Sequence, residues 1–460
     1  MRWRSRWGRL RRRLTPPRLL AGSFLALILG GTVALRTLPG LYTGQPLGWV
    51  DALFTATSAV CVTGLIVVDT GTYFTGAGQA LLLVLIQLGG LGLLTFTTLV
   101  ILGLGRRLSL HHEGVVAGGT RLVPAVDFRR LQRHIVVFTL GIEAIAAVVL
   151  FLAWLPRFGA GEALWHAVFH AVSAFCNAGF STFSDSLVGF SHAPVTLVTV
   201  MGLVVVGGLG FLALEETAAW WRSGRTLRLS VHTRLVLAVT LTLLVTGWFL
   251  YGAFEWHITL EGMPAWAKAT NALFMSVTAR TAGFNTVDYA QTAEATSFLT
   301  IILMSIGGAP GSTAGGLKVT TVAVIGLLAL SRLRGRAVVS LWHRTIPEET
   351  IQRAVGLFVF AFGLTTLAIF VYTVTEIGFR SHTATLGSFL SYMFETTSAF
   401  NTVGLSMGVT DELSPAGRLL TTGLMYVGRV GPLSFAAAIA LRDPLPGGGF
   451  RYAYEDVVIG

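Results

Sequence analysis

The sequence predicts an all-α integral membrane fold of four tandem units in a pseudo-fourfold arrangement about one axis. Each unit is a helix, a short re-entrant half-helix, an extended loop and a second helix. Three observations predict it: an apolar composition, eight apolar stretches of spanning length, and a phrase that recurs four times. The phrase reads "SAVCVTGL" (58–65), "SAFCNAGF" (173–180), "VTARTAGF" (277–284) and "SAFNTVGL" (398–405).

With 53% hydrophobic and 12% charged residues and a mean hydropathy of +0.70, the 460 residues are too apolar for a water-soluble globule. The two cysteines, Cys61 and Cys176, form no CxxC pair, so neither a structural zinc site nor a disulfide framework is indicated. The formal charge of +11 does not imply nucleic acid, because most Lys and Arg lies in short segments between apolar stretches and marks membrane topology.

The apolar stretches lie near 19–38, 78–104, 134–155, 194–221, 233–254, 297–331, 354–377 and 414–441, each long enough for the roughly 20 residues that a helix needs to cross a bilayer. Basic clusters precede the first (Arg2 to Arg18) and follow the second (Arg106 to Arg133), the fourth (Arg222 to Arg234) and the sixth (Arg332 to Arg353). Every second connection is therefore cytoplasmic, with both termini inside and the four quoted segments outside. The basic start followed by "LLAGSFLALILGG" has the form of a signal peptide. It is read instead as the first helix, which the first unit needs.

Each quoted segment follows a short apolar stretch such as "WVDALFTAT" or "EALWHAVFHAV". At about 10–14 residues such a stretch is too short to span and reads as a half-helix. Aligned on Gly64, Gly179, Gly283 and Gly404, the units also match in their second helices: "IQLGGLGLL", "VVVGGLGFL", "MSIGGAPGS" and "MYVGRVGPL". The predicted units are 19–110, 111–221, 222–335 and 336–445, between a basic N-terminus (1–18) and a tail (446–460).

Four such helix–pore-loop–helix units place four loops around one central pore. Irregular backbone at membrane depth is tolerated only inside protein or along a water-filled path. Glycine there lets carbonyls turn toward the axis, and a ring of carbonyls can replace the hydration shell of a small cation. The candidate ion-binding residues are Cys61, Val62, Thr63, Gly64; Cys176, Asn177, Ala178, Gly179; Thr281, Ala282, Gly283; and Asn401, Thr402, Val403, Gly404. None is acidic, so selection would fall to carbonyl dipoles. Asp69, Asp185, Asp288 and Asp411 follow the glycines and either enrich cations at the outer mouth or are ordinary loop residues.

The four glycine-bearing loops, the Gly-rich break in the sixth stretch and the Arg in the last one resemble the bacterial KtrB/TrkH potassium transporters, whose relatives include plant HKT proteins. The resemblance runs from about residue 19 to the end, and with eight spans the chain is more similar to the KtrB branch; its tail "YAYEDVVIG" is similar as well. It implies a homodimer with one pore per subunit, in a bacterial cell membrane and its lipid. It also implies a cytoplasmic nucleotide-binding regulatory ring of the KtrA type. Potassium at the loops is the implied cargo, with sodium as a candidate activator and no organic cofactor. In the plant relatives a serine for the first loop glycine goes with sodium preference, and Gly64 is intact here.

Two features break the repeat. "SIGGAPGSTAGGLK" (305–318) interrupts the sixth stretch with Gly307, Gly308, Pro310, Gly311, Ser312, Thr313, Gly315, Gly316 and Lys318, residues no continuous helix would concentrate. In the family this is an intramembrane loop that obstructs the pore. It is not a phosphate-binding loop, because Lys318 follows Leu317 and precedes Val319. Arg429 stands in the column held by Gly90, Gly208 and Gly308. A guanidinium there faces the bundle interior, and by resemblance it lies beneath the loops, as a positive barrier or an anchor of 305–318. An ion pair with Glu215, Glu216 or Glu395 is the plainer alternative. By the family's pattern Arg280 braces the third loop.

His111, His112 and Glu113 do not form the HExxH zinc pattern and lie in a basic loop. His166 and His170 share a helical face and read as packing. The leading function is channel-like potassium uptake gated from the cytoplasm; the alternative is a sodium or non-selective monovalent cation permease. An inverted-repeat transporter would need units of alternating orientation. An enzyme would need a convergent acid, base, nucleophile or metal set, which the sequence lacks.

Overall fold

The computed structural model describes residues 16–103, 128–226 and 228–431. In chain order the principal helices are α1 (Pro16–Thr37), α2 (Trp49–Val60), α3 (Gly76–Gly103), α4 (Phe128–Phe175), α5 (Pro194–Leu209), α6 (Phe211–Arg222) and α7 (Val231–Glu255). They continue with α8 (Ala265–Thr278), α9 (Glu294–Met304), α10 (Val319–Leu333), α11 (Glu348–Tyr372), α12 (Ser388–Phe400) and α13 (Pro415–Val430). The fold is all-α; the described strands are one two-residue hairpin, Ser340–Leu341 with Arg344–Thr345.

The long helices turn their apolar side chains outward, as a chain solvated by lipid should. Leu29, Ile145, Leu152, Phe249, Phe362 and Phe370 are all exposed, while α2, α8 and α12 are buried. The buried helices carry hydroxyls rather than a purely oily core. Thr57, Thr396 and Thr397 each donate to a carbonyl one turn earlier, at 2.7, 2.7 and 2.8 Å, so their burial leaves no unpaired donor.

Three differences from the sequence reading have local causes. The third predicted stretch and the half-helix after it run together as α4, 48 residues kinked at Gly159 (φ 75°). The stretch predicted as continuous over 194–221 is broken at Gly210 (φ 81°), and α5 and α6 bend there by 102°. The predicted 414–441 stretch leaves its helix at Gly431 (φ 89°), just after Val430. Gly210 bends because segment 305–318 docks on it. Phe211 N donates to Gly311 O at 3.0 Å, and a Cβ on Gly210 would stand 2.7 Å from Pro310 O.

The glycines of the second helices have a packing reason. A Cβ on Gly89, Gly207 or Gly428 would strike the carbonyl of Val60, Phe175 or Phe400, the last residue of the half-helix beside it. Only glycine lets α3, α5 and α13 close on those half-helix ends.

Two carboxylates tie the helices within units three and four, one in each unit. Glu255, fully buried at the end of α7, accepts from Ala293 N (3.0 Å), Thr259 Oγ1 (2.7 Å) and Thr296 Oγ1 and so caps α9. Glu376 accepts from Ser414 N (3.0 Å) and Ser414 Oγ (2.6 Å) and caps α13. Glu255→Ala strips the Thr259 and Ala293 N–H groups and the Thr259 and Thr296 hydroxyls of their acceptor; the buried Thr296 hydroxyl costs about 1–3 kcal/mol when orphaned and the half-buried donors less. The variant is expected to melt several degrees lower in detergent, measured by thermal unfolding; an unchanged midpoint would mean water replaces the carboxylate.

Candidate functional site

Each half-helix ends in the same backbone manoeuvre. Val62, Asn177, Thr281 and Thr402 take left-handed angles (φ 55°, 59°, 71° and 51°), and two residues later Gly64, Gly179, Gly283 and Gly404 do so again (φ 95°, 70°, 81° and 93°). For a β-branched residue this conformation is strained, so the surroundings must impose it. Thr63 N, Ala178 N and Val403 N close the turn on Ser58 O, Ser173 O and Ser398 O at 2.8, 2.7 and 2.8 Å. In the third unit Ala282 N reaches Thr278 O at 3.0 Å, a turn one residue tighter. Side chains lock the far end. Ser58 and Ser173 each donate to the carbonyl after the glycine, Leu65 O and Phe180 O, at 2.7 Å. Thr278 does the same to Phe284 O at 2.5 Å, and Ser398 Oγ accepts from Gly404 N at 3.1 Å.

The four glycines meet one another. A Cβ on Gly283 would stand 2.6 Å from Val403 O, and one on Gly179 would stand 2.9 Å from Ala282 O. A Cβ on Gly64 would strike Ala178 O, and one on Gly404 would strike Thr63 O. Each glycine thus abuts the carbonyl that precedes the next loop's glycine, in the order one, two, three, four and back to one. The hydroxyls of Thr63 and Thr402 are buried beside this ring without a hydrogen-bond partner among the described residues. Such a cluster of neutral oxygens with free lone pairs has the donor chemistry of an alkali-cation site.

Not every flanking side chain is free for a ligand. Asn401 donates to Thr397 O (3.0 Å) and accepts from Leu317 N (3.3 Å). The Asn177 amide lies between Thr281 and the carbonyls of Val204 and Ala174 and satisfies both by directing its NH2 at them (3.2 and 3.1 Å). Cys61 is buried, and Cys176 donates to Gln87 Oε1 at 3.4 Å.

Segment 305–318 packs under the ring. Ala309 N and Thr313 N bond Gly208 O and Gly207 O (2.9 and 3.1 Å), and Gly316 N bonds Gly428 O (3.2 Å). Thr313 Oγ1 donates to Phe175 O at 3.2 Å. Ser312 Oγ turns back to Ala309 O (2.6 Å), and Gly307 N closes the segment on Leu317 O (2.8 Å). Gly311 and Gly316 are left-handed, and a Cβ on Gly308 would stand 2.6 Å from the Ala314 Cβ. Side chains on Gly315 and Gly316 would strike Thr402 and Asn401 of the fourth loop. Lys318 Nζ folds back on Ala314 O at 2.5 Å.

Arg429, 2% exposed, donates to Thr313 O and, at 3.1 Å, to Gly89 O. The ion pair weighed from sequence is absent: Glu216 binds Ser230 and Thr233, Glu395 binds Ser406 and Thr410, and among the described residues neither they nor Glu215 pair with Arg429. The charge is spent on carbonyls, the arrangement of an anchor. Arg280 Nη2 reaches Gly307 O at 3.5 Å, so it too touches segment 305–318.

Three of the four outer aspartates cap their own turns: Asp69 takes Gly71 N (2.8 Å), Asp185 takes Gly189 N (2.8 Å) and Asp288 takes Ala290 N (3.0 Å). Asp411 is exposed and offers its backbone oxygen to Arg418, whose guanidinium also pairs with Asp51 at 2.5 Å. His166 and His170 bond Thr182 and Ser181 (2.7 and 2.9 Å) within an aromatic cluster of Trp154, Phe158 and Phe183. No group of three metal-ligating side chains occurs among the described residues. His111, His112, Glu113 and the tail 446–460 lie outside the described residues.

Sequence reasoning missed Gln87 and Glu143, which join the first two units behind Cys176. A carboxylate inside an apolar stretch was the available signal.

Comparison with known proteins gives a consistent set. The TrkH model, described as a cation transport protein, matches residues 19–445. The Ktr system potassium uptake protein B of Vibrio alginolyticus is 40% identical over 96% of this chain and 95% of its own. The protein of the same name from Bacillus subtilis is 38% identical over 97% of each. The potassium/sodium uptake protein NtpJ of Enterococcus hirae is 36% identical over 98% of this chain and 99% of its own. Among solved structures, the potassium transporter TrkH from Vibrio parahaemolyticus superposes with a TM-score of 0.71 at 19% identity, over 92% of this chain and 85% of that one.

Proposed function

The chain belongs to the TrkH family of cation transport proteins, and on that premise we propose that it carries potassium across the bacterial cell membrane through a pore narrowed by the four glycine loops. The observation that carries the reading is the closed cycle of glycine against carbonyl from loop to loop, with two buried hydroxyls beside it unclaimed among the described residues. Neutral oxygens stripped of competing donors suit a cation that must shed water to pass. Relatives at 40 and 38% identity are named potassium uptake proteins. Potassium is preferred to sodium because all four loops keep their glycine.

Segment 305–318 and Arg429 form the gate in this reading. The segment holds hydrogen bonds to the second and fourth units directly, and Arg429 links it to the first through Gly89. A cytoplasmic nucleotide-binding ring would release it; two relatives carry the name of one protein of a Ktr system, which supports a partner. The chain is proposed to pair with a second copy, aided by its tail, with both termini in the cytoplasm.

The test is growth of a potassium-uptake-deficient bacterium at low potassium, with this gene alone and with a regulatory partner. Rescue at limiting potassium, with rubidium or potassium influx above the empty strain, is expected. No rescue in either arm despite membrane expression would overturn the reading. Sodium influx in the same cells separates potassium uptake from a non-selective permease.

A further inference from the structure

Glu143 is a carboxylate in the first leg of α4, 4% exposed, and it forms no ion pair among the described residues. A buried polar group inside a membrane helix is costly and is kept where it does something. Its hydrogen-bond partner is Gln87 on α3, whose Nε2 lies 3.2 Å from Oε1 and 3.0 Å from Oε2. With its nitrogen committed to the carboxylate, the amide must turn its oxygen the other way, and Oε1 accepts the Cys176 thiol at 3.4 Å.

Cys176 lies three residues before Gly179. One turn along α3, a Cβ on Gly90 would stand 2.6 Å from Cys176 Sγ, so the first unit's helix touches the second loop at two points. The matching Cys61 thiol makes no side-chain hydrogen bond among the described residues. Among the described residues, a thiol braced in this way is found at the seam between units one and two.

We infer that Glu143 and Gln87 are positioning residues that set ion specificity by holding the second loop of the ring against the first unit. This rests on reading the ring as the ion-selecting point. Both Glu143 oxygens lie within hydrogen-bond reach of Gln87 Nε2, and that fixes the sense of the Gln87 amide. A neutral amide at 143 could donate to Gln87 Oε1 and draw it away from the thiol. Released, Cys176 and the left-handed Asn177 beside it are free to relax, and Ala178 O shifts relative to Gly64.

The test uses the full chain in proteoliposomes, with potassium and sodium influx measured separately. Glu143→Gln, which keeps shape, and Gln87→Leu are each expected to lower the potassium-to-sodium flux ratio about fivefold, the size of one net hydrogen bond. Cys176→Ser, whose hydroxyl can still donate to Gln87, should lose less than Cys176→Ala; a purely packing role would not favour the polar variant. Measured in a Cys61→Ser background, Cys176 should react faster with a methanethiosulfonate when Glu143→Gln is added. Gly64→Ser is the reference. If it changes the ratio while Glu143→Gln and Gln87→Leu do not, the brace is refuted and the ring stands. Equal losses in the Ser and Ala variants at 176 also refute the brace. No change in any variant, Gly64→Ser included, overturns the ring and the brace with it.

Discussion

Gly64→Ser is expected to lower potassium influx at least tenfold and to let sodium compete. Two costs combine. At φ 95° a Cβ is disfavoured, by roughly 1–2 kcal/mol, and that Cβ would strike Ala178 O and stand 3.1 Å from the Gly179 Cα. Relieving a clash among well-packed backbone atoms costs about 1–3 kcal/mol more. Either the serine pushes loop two out of the ring or its own carbonyl turns away. Both spoil a set of oxygens that must meet one ion together, and each 1.4 kcal/mol lost at that point is about tenfold in rate. Gly40→Ser is the control, because Gly40 is also left-handed (φ 76°) but has nothing within 4 Å of its would-be Cβ. It carries the backbone strain without the ring contact. Flux that falls equally in both variants would mean that strain alone, and not the ring, explains the loss.

The ring glycines were legible because glycine is what a left-handed, backbone-to-backbone contact demands, and the demand recurs four times. The partners that impose the geometry were not. Nothing in the sequence marks Val62, Thr281 or Thr402 for φ above zero; their side chains argue against it, and closure onto Ser58, Thr278 and Ser398 overrides them. The bend at Gly210 was hidden for the same kind of reason. Gly92 holds the matching place in α3 and stays helical, so the glycine alone decides nothing, and Gly311 reaching Phe211 N from a distant stretch decides it. Arg429 was legible as a buried charge, but carboxylates are the partners one looks for by type, and it binds the carbonyls of Thr313 and Gly89. Backbone acceptors carry no signature in a sequence. Glu143 and Gln87 face each other across two units, 56 residues apart, and periodicity within one helix does not report such a pair.

Arg429→Ala and removal of 311–316 ("GSTAGG") are each expected to raise basal cation flux and weaken dependence on a cytoplasmic regulator. Arg429 pins the segment at Thr313 O and ties it to the first unit at Gly89 O. Hydrogen bonds from a charged donor are each worth about 1.5–3 kcal/mol, so losing both shifts a closed-to-open equilibrium by roughly a hundredfold or more. Removing 311–316 takes away more. It deletes the Thr313 and Gly316 bonds to Gly207 O and Gly428 O, the Gly311 oxygen that holds α6, and the Thr313 hydroxyl on Phe175 O. It also deletes the acceptor of Arg429 itself. The two changes therefore act on one contact, and the double variant should add little to the deletion, because coupled groups are non-additive. Potassium flux into proteoliposomes holding each of the three variants measures this. Effects that add on the free-energy scale would separate Arg429 from the segment and leave its charge as an independent barrier. A deletion that folds yet leaves flux unchanged would make segment 305–318 a structural strut and put the closure of the pore elsewhere.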